Sequence, residues 1–89
     1  MNTADKKRLR AQAHSLKPVI MIGNAGLTSA VLAEIEIALD HHELIKIRIR
    51  AEKEVREQIS HQICLDTHCE LIQRIGQIST VYRHNPNKP

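Results

Sequence analysis

Residues 18 to 32 read Pro18-Val19-Ile20-Met21-Ile22-Gly23-Asn24-Ala25-Gly26-Leu27-Thr28-Ser29-Ala30-Val31-Leu32, and the rest of the chain supports this stretch. Val19 to Ile22 form a short apolar run rich in β-branched residues, and Pro18 can open it because a first strand residue need not donate a ladder hydrogen bond. The run is expected to be a buried strand. Gly23 and Gly26 bracket two small residues, so the backbone is free to take positive φ and another molecule can approach the main chain without meeting a Cβ. Either Thr28 or Ser29 can cap the helix that follows. The remaining N–H groups at its start, with the positive end of the helix dipole, then lie beside the loop as a candidate anion seat. A pair of glycines three apart is also common in ordinary turns. The setting between a strand and a capped helix is what raises its interest.

Eighty-nine residues are enough for one domain with one core and too few for a cleft between lobes. The expected domain is therefore 1–89, with its body over 3–83 and a frayed tail at 84–89. There is no Trp or Phe and Tyr82 is the only aromatic residue, so the core must be aliphatic. Reading single-stranded RNA by ring stacking needs aromatic side chains on a sheet face, and this chain has no such set. Cys64 and Cys69 are too few for a disulfide framework and are expected to be reduced thiols. Met1 is followed by polar and charged residues, and no apolar stretch approaches the length of a membrane span. A soluble cytoplasmic protein that contacts no membrane is expected.

The net charge is +3, but it is distributed in blocks. Residues 1–26 carry +4 through Lys6, Lys7, Arg8, Arg10 and Lys17 against Asp5, and residues 27–43 carry −4. Residues 44–50 return to +3, residues 51–70 fall to −3, and residues 71–89 end at +3. Residues 3–15 suit a helix with Thr3 as N-cap and Leu9, Ala13 and Leu16 on its apolar line. Its first turns are crowded with cations that oppose the helix dipole, so either solubility or a polyanion accounts for them. Residues 29–42 repeat Val31, Leu32, Ile35, Ala38 and Leu39 at helical spacing, with His41 and His42 as last-turn caps. Leu44-Ile45-Lys46-Ile47-Arg48-Ile49-Arg50 is the clearest strand: isoleucines on one face, cations on the other. Three like charges spaced about 6.6 Å apart repel each other unless acidic helices or a phosphate backbone neutralise them. Residues 52–66 give a third helix along Val55, Ile59 and Ile63, and the spacing of His61, Cys64 and His68 does not converge on a metal. Leu71 to Ile75 and Ile78 to Arg83 read as a hairpin turning at Gly76-Gln77.

Taken in order, Leu16-Lys17-Pro18-Val19, Gly23-Asn24-Ala25-Gly26-Leu27-Thr28, His41-His42-Glu43-Leu44-Ile45-Lys46 and Ile75-Gly76 through Val81-Tyr82-Arg83 make the chain resemble the YhbY family. These are stand-alone bacterial forms of the chloroplast RNA splicing and ribosome maturation (CRM) domain. The resemblance spans about residues 5–83. It implies an α/β fold of order helix-strand-helix-strand-helix-strand-strand, with a four-stranded mixed sheet and three helices, similar to the C-terminal domain of translation initiation factor three. It also implies binding to ribosomal RNA in precursors of the large subunit, with no cofactor and no small-molecule substrate. Carried over by position, the RNA contact comprises Gly23, Asn24, Ala25, Gly26 and Thr28, with Lys6, Lys7, Arg8, Arg10, Lys17, Lys46, Arg48 and Arg50 around it. His68 stands where relatives place a glycine, which implies local strain if that position is left-handed. Neither middle loop residue is cationic, so backbone amides must make the contact there. The expectation is a monomeric, non-enzymatic RNA-binding protein. The rival reading is a module that docks on ribosomal proteins through acidic helices, and a third is an enzyme built on His41 and His42.

Overall fold

The structure is a computed structural model and describes residues 1–88. Its elements are α1 (Thr3–Ala13), β1 (Pro18–Ile22), α2 (Ser29–His42), β2 (Leu44–Ile49), α3 (Lys53–Thr67), β3 (Glu70–Ile75) and β4 (Ile78–Tyr82). The sheet order is β1-β2-β4-β3. β1 and β2 are parallel, joined by the α2 crossover that parallel strands require. β4 runs antiparallel to both β2 and β3, and the two-residue β3–β4 turn is made by Gly76, at φ 55°, with Gln77. The expected fold class is therefore the observed one.

Alternation along β2 separates the two faces of the sheet. Ile45, Ile47 and Ile49 point into the main core with Ile20, Ile22 and Val81, where α2 contributes Ile35 and Leu39 and α3 contributes Ile63. Leu44 points the other way, into a smaller cluster with Leu9 and Ala13 of α1 and Ile72 of β3, against which Tyr82 packs. α2 and α3 thus cover one face fully, while α1 covers only one end of the other. That asymmetry corrects the expectation for β1. Ile20 and Ile22 are buried, but Val19 and Met21 are 53% and 54% exposed, because β1 is an edge strand and α1 packs mainly on β2 and β3.

At the helix ends one reading shifts and two hold. Asn2, not Thr3, caps α1: its side chain accepts from the Asp5 amide, and the helix ends at Ala13, leaving Leu16 exposed. Thr28 is the cap of α2, accepting from the Val31 amide at 3.1 Å. His68 does adopt the left-handed conformation, at φ 59°, directly after α3. A non-glycine residue there costs about 1 kcal/mol. Cys64 and Cys69 lie on either side of this reversal with their sulfurs 3.5 Å apart as free thiols.

The tail expected to fray folds back on α2, as far as the described residues run; Pro89 lies outside them. The Arg83 amide donates to the Glu43 carbonyl, the Asn85 amide to the Glu43 carboxylate at 2.7 Å, and Lys88 Nζ to the His41 carbonyl. Glu43 itself stands at φ 63°, ending α2. The Asn85 amide, helped by the charges of Lys88 and His84, holds its carboxyl below the usual carboxylate range. A depressed folded-state value means that tail docking is stabilising above the ordinary glutamate range and is lost as pH falls through the depressed value. The Asn85 amide resonance is accordingly expected to move towards its random-coil position on acidification below the ordinary glutamate range, before the core unfolds, and Glu43→Gln is expected to remove that titration.

Candidate nucleic-acid interface

The loop after β1 is built by a tight turn. The Gly26 amide donates to the Gly23 carbonyl at 3.0 Å, reversing the chain over Asn24 and Ala25, and the Thr28 amide donates to the Gly26 carbonyl at 3.1 Å. Leu27 packs against the main core and anchors the turn from below. Gly26 has φ 72°, so glycine is required there by backbone geometry. Gly23 is different. It is outside the left-handed region, and a Cβ added to it would meet nothing within 4 Å. Neither conformation nor packing within the chain accounts for a glycine at 23. Asn24 and Ala25 are exposed, and among the described residues no acceptor within the chain takes their amides. The first amides of α2, at Ser29 and Ala30, lie beside them, as helix starts leave them.

The cations fall into two groups. Lys46 and Arg48 project from the face of β2 that α2 and α3 do not cover, and Arg50 continues the alternation just past the strand. The Arg50 amide donates to the Ile22 carbonyl at 2.9 Å, which places Arg50 directly beside Gly23. The line therefore starts at the loop and runs down the open face. At its lower end Arg10 of α1 shares a shallow groove with Lys46, Gln73 and Ile75. Lys17 stands at the start of β1, roughly 20 Å from the loop by strand rise, and lines a separate hollow with Leu16, Val19 and His42. Lys6 reaches the outer edge of β3 near Glu70, and Lys7 and Arg8 lie on the exposed side of α1, with Arg8 paired to Asp5 at 3.3 Å. Of the basic residues grouped by sequence, the structure joins Arg10, Lys46, Arg48 and Arg50 in a line that starts at the loop, places Lys17 just before the Pro18 that pairs with Lys46 at the lower end of that line, and leaves Lys6, Lys7 and Arg8 elsewhere.

The acidic helices lie on the opposite face of the sheet. Glu36 and Asp40 of α2 bind Arg83 at 3.1 and 2.9 Å, and Glu57 of α3 binds Arg74 at 3.4 Å. Among the described residues no carboxylate pairs with Lys46, Arg48 or Arg50. Arg83, read from sequence as one more cation of the basic C-terminal block, is instead an internal clamp. Its guanidinium also donates to the carbonyls of Thr67 and Glu36. Burial alone would ease its proton off, but the hydrogen bonds and charge of Glu36, then of Asp40, outweigh that and hold it more firmly charged. No spacing in the sequence signals this role. His41 and His42 stand exposed in the last turn of α2 with ring centres 6.3 Å apart.

Comparison with known proteins agrees with this architecture. The CRS1/YhbY (CRM) domain family matches residues 1–83. A Haemophilus influenzae protein named an RNA-binding protein is 45% identical over 84 residues, covering 93% of this chain and 85% of that one. A Pseudomonas aeruginosa protein named a probable RNA-binding protein is 43% identical over 82 residues, covering 91% and 79%. The solution structure of a Staphylococcus aureus protein superposes with a TM-score of 0.85 at 28% identity, covering 99% of this chain and 94% of that one.

Proposed function

Because the chain belongs to the CRS1/YhbY (CRM) domain family, we propose that it is a non-enzymatic RNA-binding protein that engages ribosomal RNA in large-subunit precursors and assists their maturation in the cytoplasm, acting as a monomer. The amides of Asn24 and Ala25 and the start of α2 hold a phosphate, while Arg50, Arg48, Lys46 and Arg10 position the backbone that leads away from it. The observation that carries this reading is Gly23. A glycine that neither its φ nor its packing requires, beside amides and an arginine with no partner among the described residues, fits a main chain kept bare for a ligand backbone.

Gly23→Asp provides the test, because a Cβ there meets nothing within 4 Å and the backbone is outside the left-handed region. The variant is expected to keep the wild-type urea midpoint and to lose at least about tenfold in affinity for a large-subunit ribosomal RNA fragment, through a misplaced negative charge at a phosphate seat. Wild type should show a steep fall in affinity with salt. Equal binding by both proteins would reduce Gly23 to a plain turn residue. No binding by either would turn the search to docking on ribosomal proteins through the acidic helices.

A further inference from the structure

The open sheet face is not only basic. Met21 of β1 is registered with Arg48 of β2, Arg48 with Ile78 of β4, and Ile78 with Ile75 of β3, so these four side chains form one row across the sheet. Met21 is 54% exposed and Ile75 is 64% exposed. The next row places Lys46 between Pro18 of β1 and Thr80 of β4, with Thr80, itself buried, beside Gln73; exposed Val19 stands next to Pro18 where the β1 register shifts. Neighbouring strands are about 4.8 Å apart, so each cation on β2 has an apolar or uncharged neighbour close on both sides. The pattern is a line of positive charge along β2, joined by Arg10 at its lower end, with aliphatic surface on both sides of Arg48 and at Val19.

From this pattern, and resting on the RNA-binding reading above, we infer that the open face takes a single-stranded RNA segment that leaves the loop and runs along β2, with phosphates on Arg48 and Lys46 and unpaired bases laid over Met21 and Val19 on one side and Ile75 and Ile78 on the other. Cations on alternate strand residues stand about 6.6 Å apart, which suits successive phosphates of one strand. The aliphatic flanks decide between single strand and duplex. A duplex presents phosphates and 2′-hydroxyls and keeps its base faces stacked inside, so it has nothing to lay on methionine and isoleucine. Unpaired bases have apolar faces to cover. Without aromatic rings the contact is indifferent to sequence and weaker than ring stacking. A second copy of the chain is disfavoured as occupant, since a two-fold contact through this face would set the cation strip against itself.

The test compares an unstructured oligouridine of about a dozen nucleotides with an RNA duplex of the same length, each binding to wild type and to Met21→Ser/Ile75→Ser. Both positions are exposed, so the variant is expected to keep the wild-type urea midpoint. Wild type is expected to hold the single strand roughly tenfold more tightly than the duplex. The variant is expected to lose roughly five- to tenfold on the single strand, with duplex binding and the salt slope unchanged, because only apolar contact is removed. Equal or tighter duplex binding by wild type, or full single-strand binding by the variant, overturns the inference while ribosomal RNA binding still stands. A wild-type dimer in sedimentation that the serine variant dissociates would also overturn it, assigning the face to self-association. Failure of wild type to bind any RNA overturns both this inference and the reading beneath it.

Discussion

Joint replacement of Lys46, Arg48 and Arg50 by glutamine is expected to weaken RNA binding by roughly ten- to a hundredfold at moderate salt and to reduce the slope of log affinity against log salt by about two. Each of the three side chains that neutralises a phosphate releases counterions, and a single strand gives a slope of about −0.7 per contact. The effect should be this large because nothing within the described chain competes for these charges. α2 and α3 lie behind the sheet, where Glu36 and Asp40 hold Arg83 and Glu57 holds Arg74. Glutamine keeps the length of the side chain and its place on β2, so loss of fold is not expected; relief of like-charge repulsion should raise the urea midpoint slightly. Fluorescence anisotropy across a salt series measures the slope directly. An unchanged slope would remove β2 from the interface. The same replacement at Lys6 and Lys7, which sit apart from the loop, should leave the slope within about half a unit of wild type.

Ile47→Ala is expected to destabilise the fold by about 3 to 4 kcal/mol. Ile47 has no exposed surface and sits on the strand paired on both sides, with the main core of α2 and α3 against it. Alanine there leaves a cavity that cannot collapse easily, since the strand is held in register by its ladders to β1 and β4. A domain of this size has only about 5 to 15 kcal/mol in hand, so the loss is a large share of the total. Urea unfolding followed by circular dichroism should show a midpoint lower by about 2 to 3 M, or no folded baseline at all. Met21→Ala, also on an apolar strand position but facing the open side, should cost less than about 0.5 kcal/mol. Similar losses at both positions would mean that the two faces are not as unequal as α1's placement makes them.

The elements were legible because their signals are local. Strict alternation from Leu44 to Arg50, helical spacing through Val31, Ile35 and Leu39, and a glycine at a two-residue turn each act over a few residues. The left-handed turn at position 68 was legible through the resemblance, which implied a glycine where His68 stands. The fate of the C-terminal segment was not. Its polar, proline-bearing composition reads as fraying, and only the approach of the α2 end brings Glu43 to the Asn85 amide, across 42 positions of sequence. The same holds for β1: four apolar residues in a row look buried on both sides, whereas Val19 and Met21 face a half of the sheet that α1 leaves bare.

By itself the sequence determined the order of the elements, the aliphatic core, the bare turn after β1 and the cationic face of β2, because propensity and periodicity act along the chain. Only the tertiary structure decided which cations stand together and free. Arg83 and Lys46 are both strand-end or strand cations in a basic block, yet one is clamped by Glu36 and Asp40 and the other faces an open surface. That difference depends on which face of the sheet each helix covers, and a charge is neutralised only by what folding brings within a few ångströms of it.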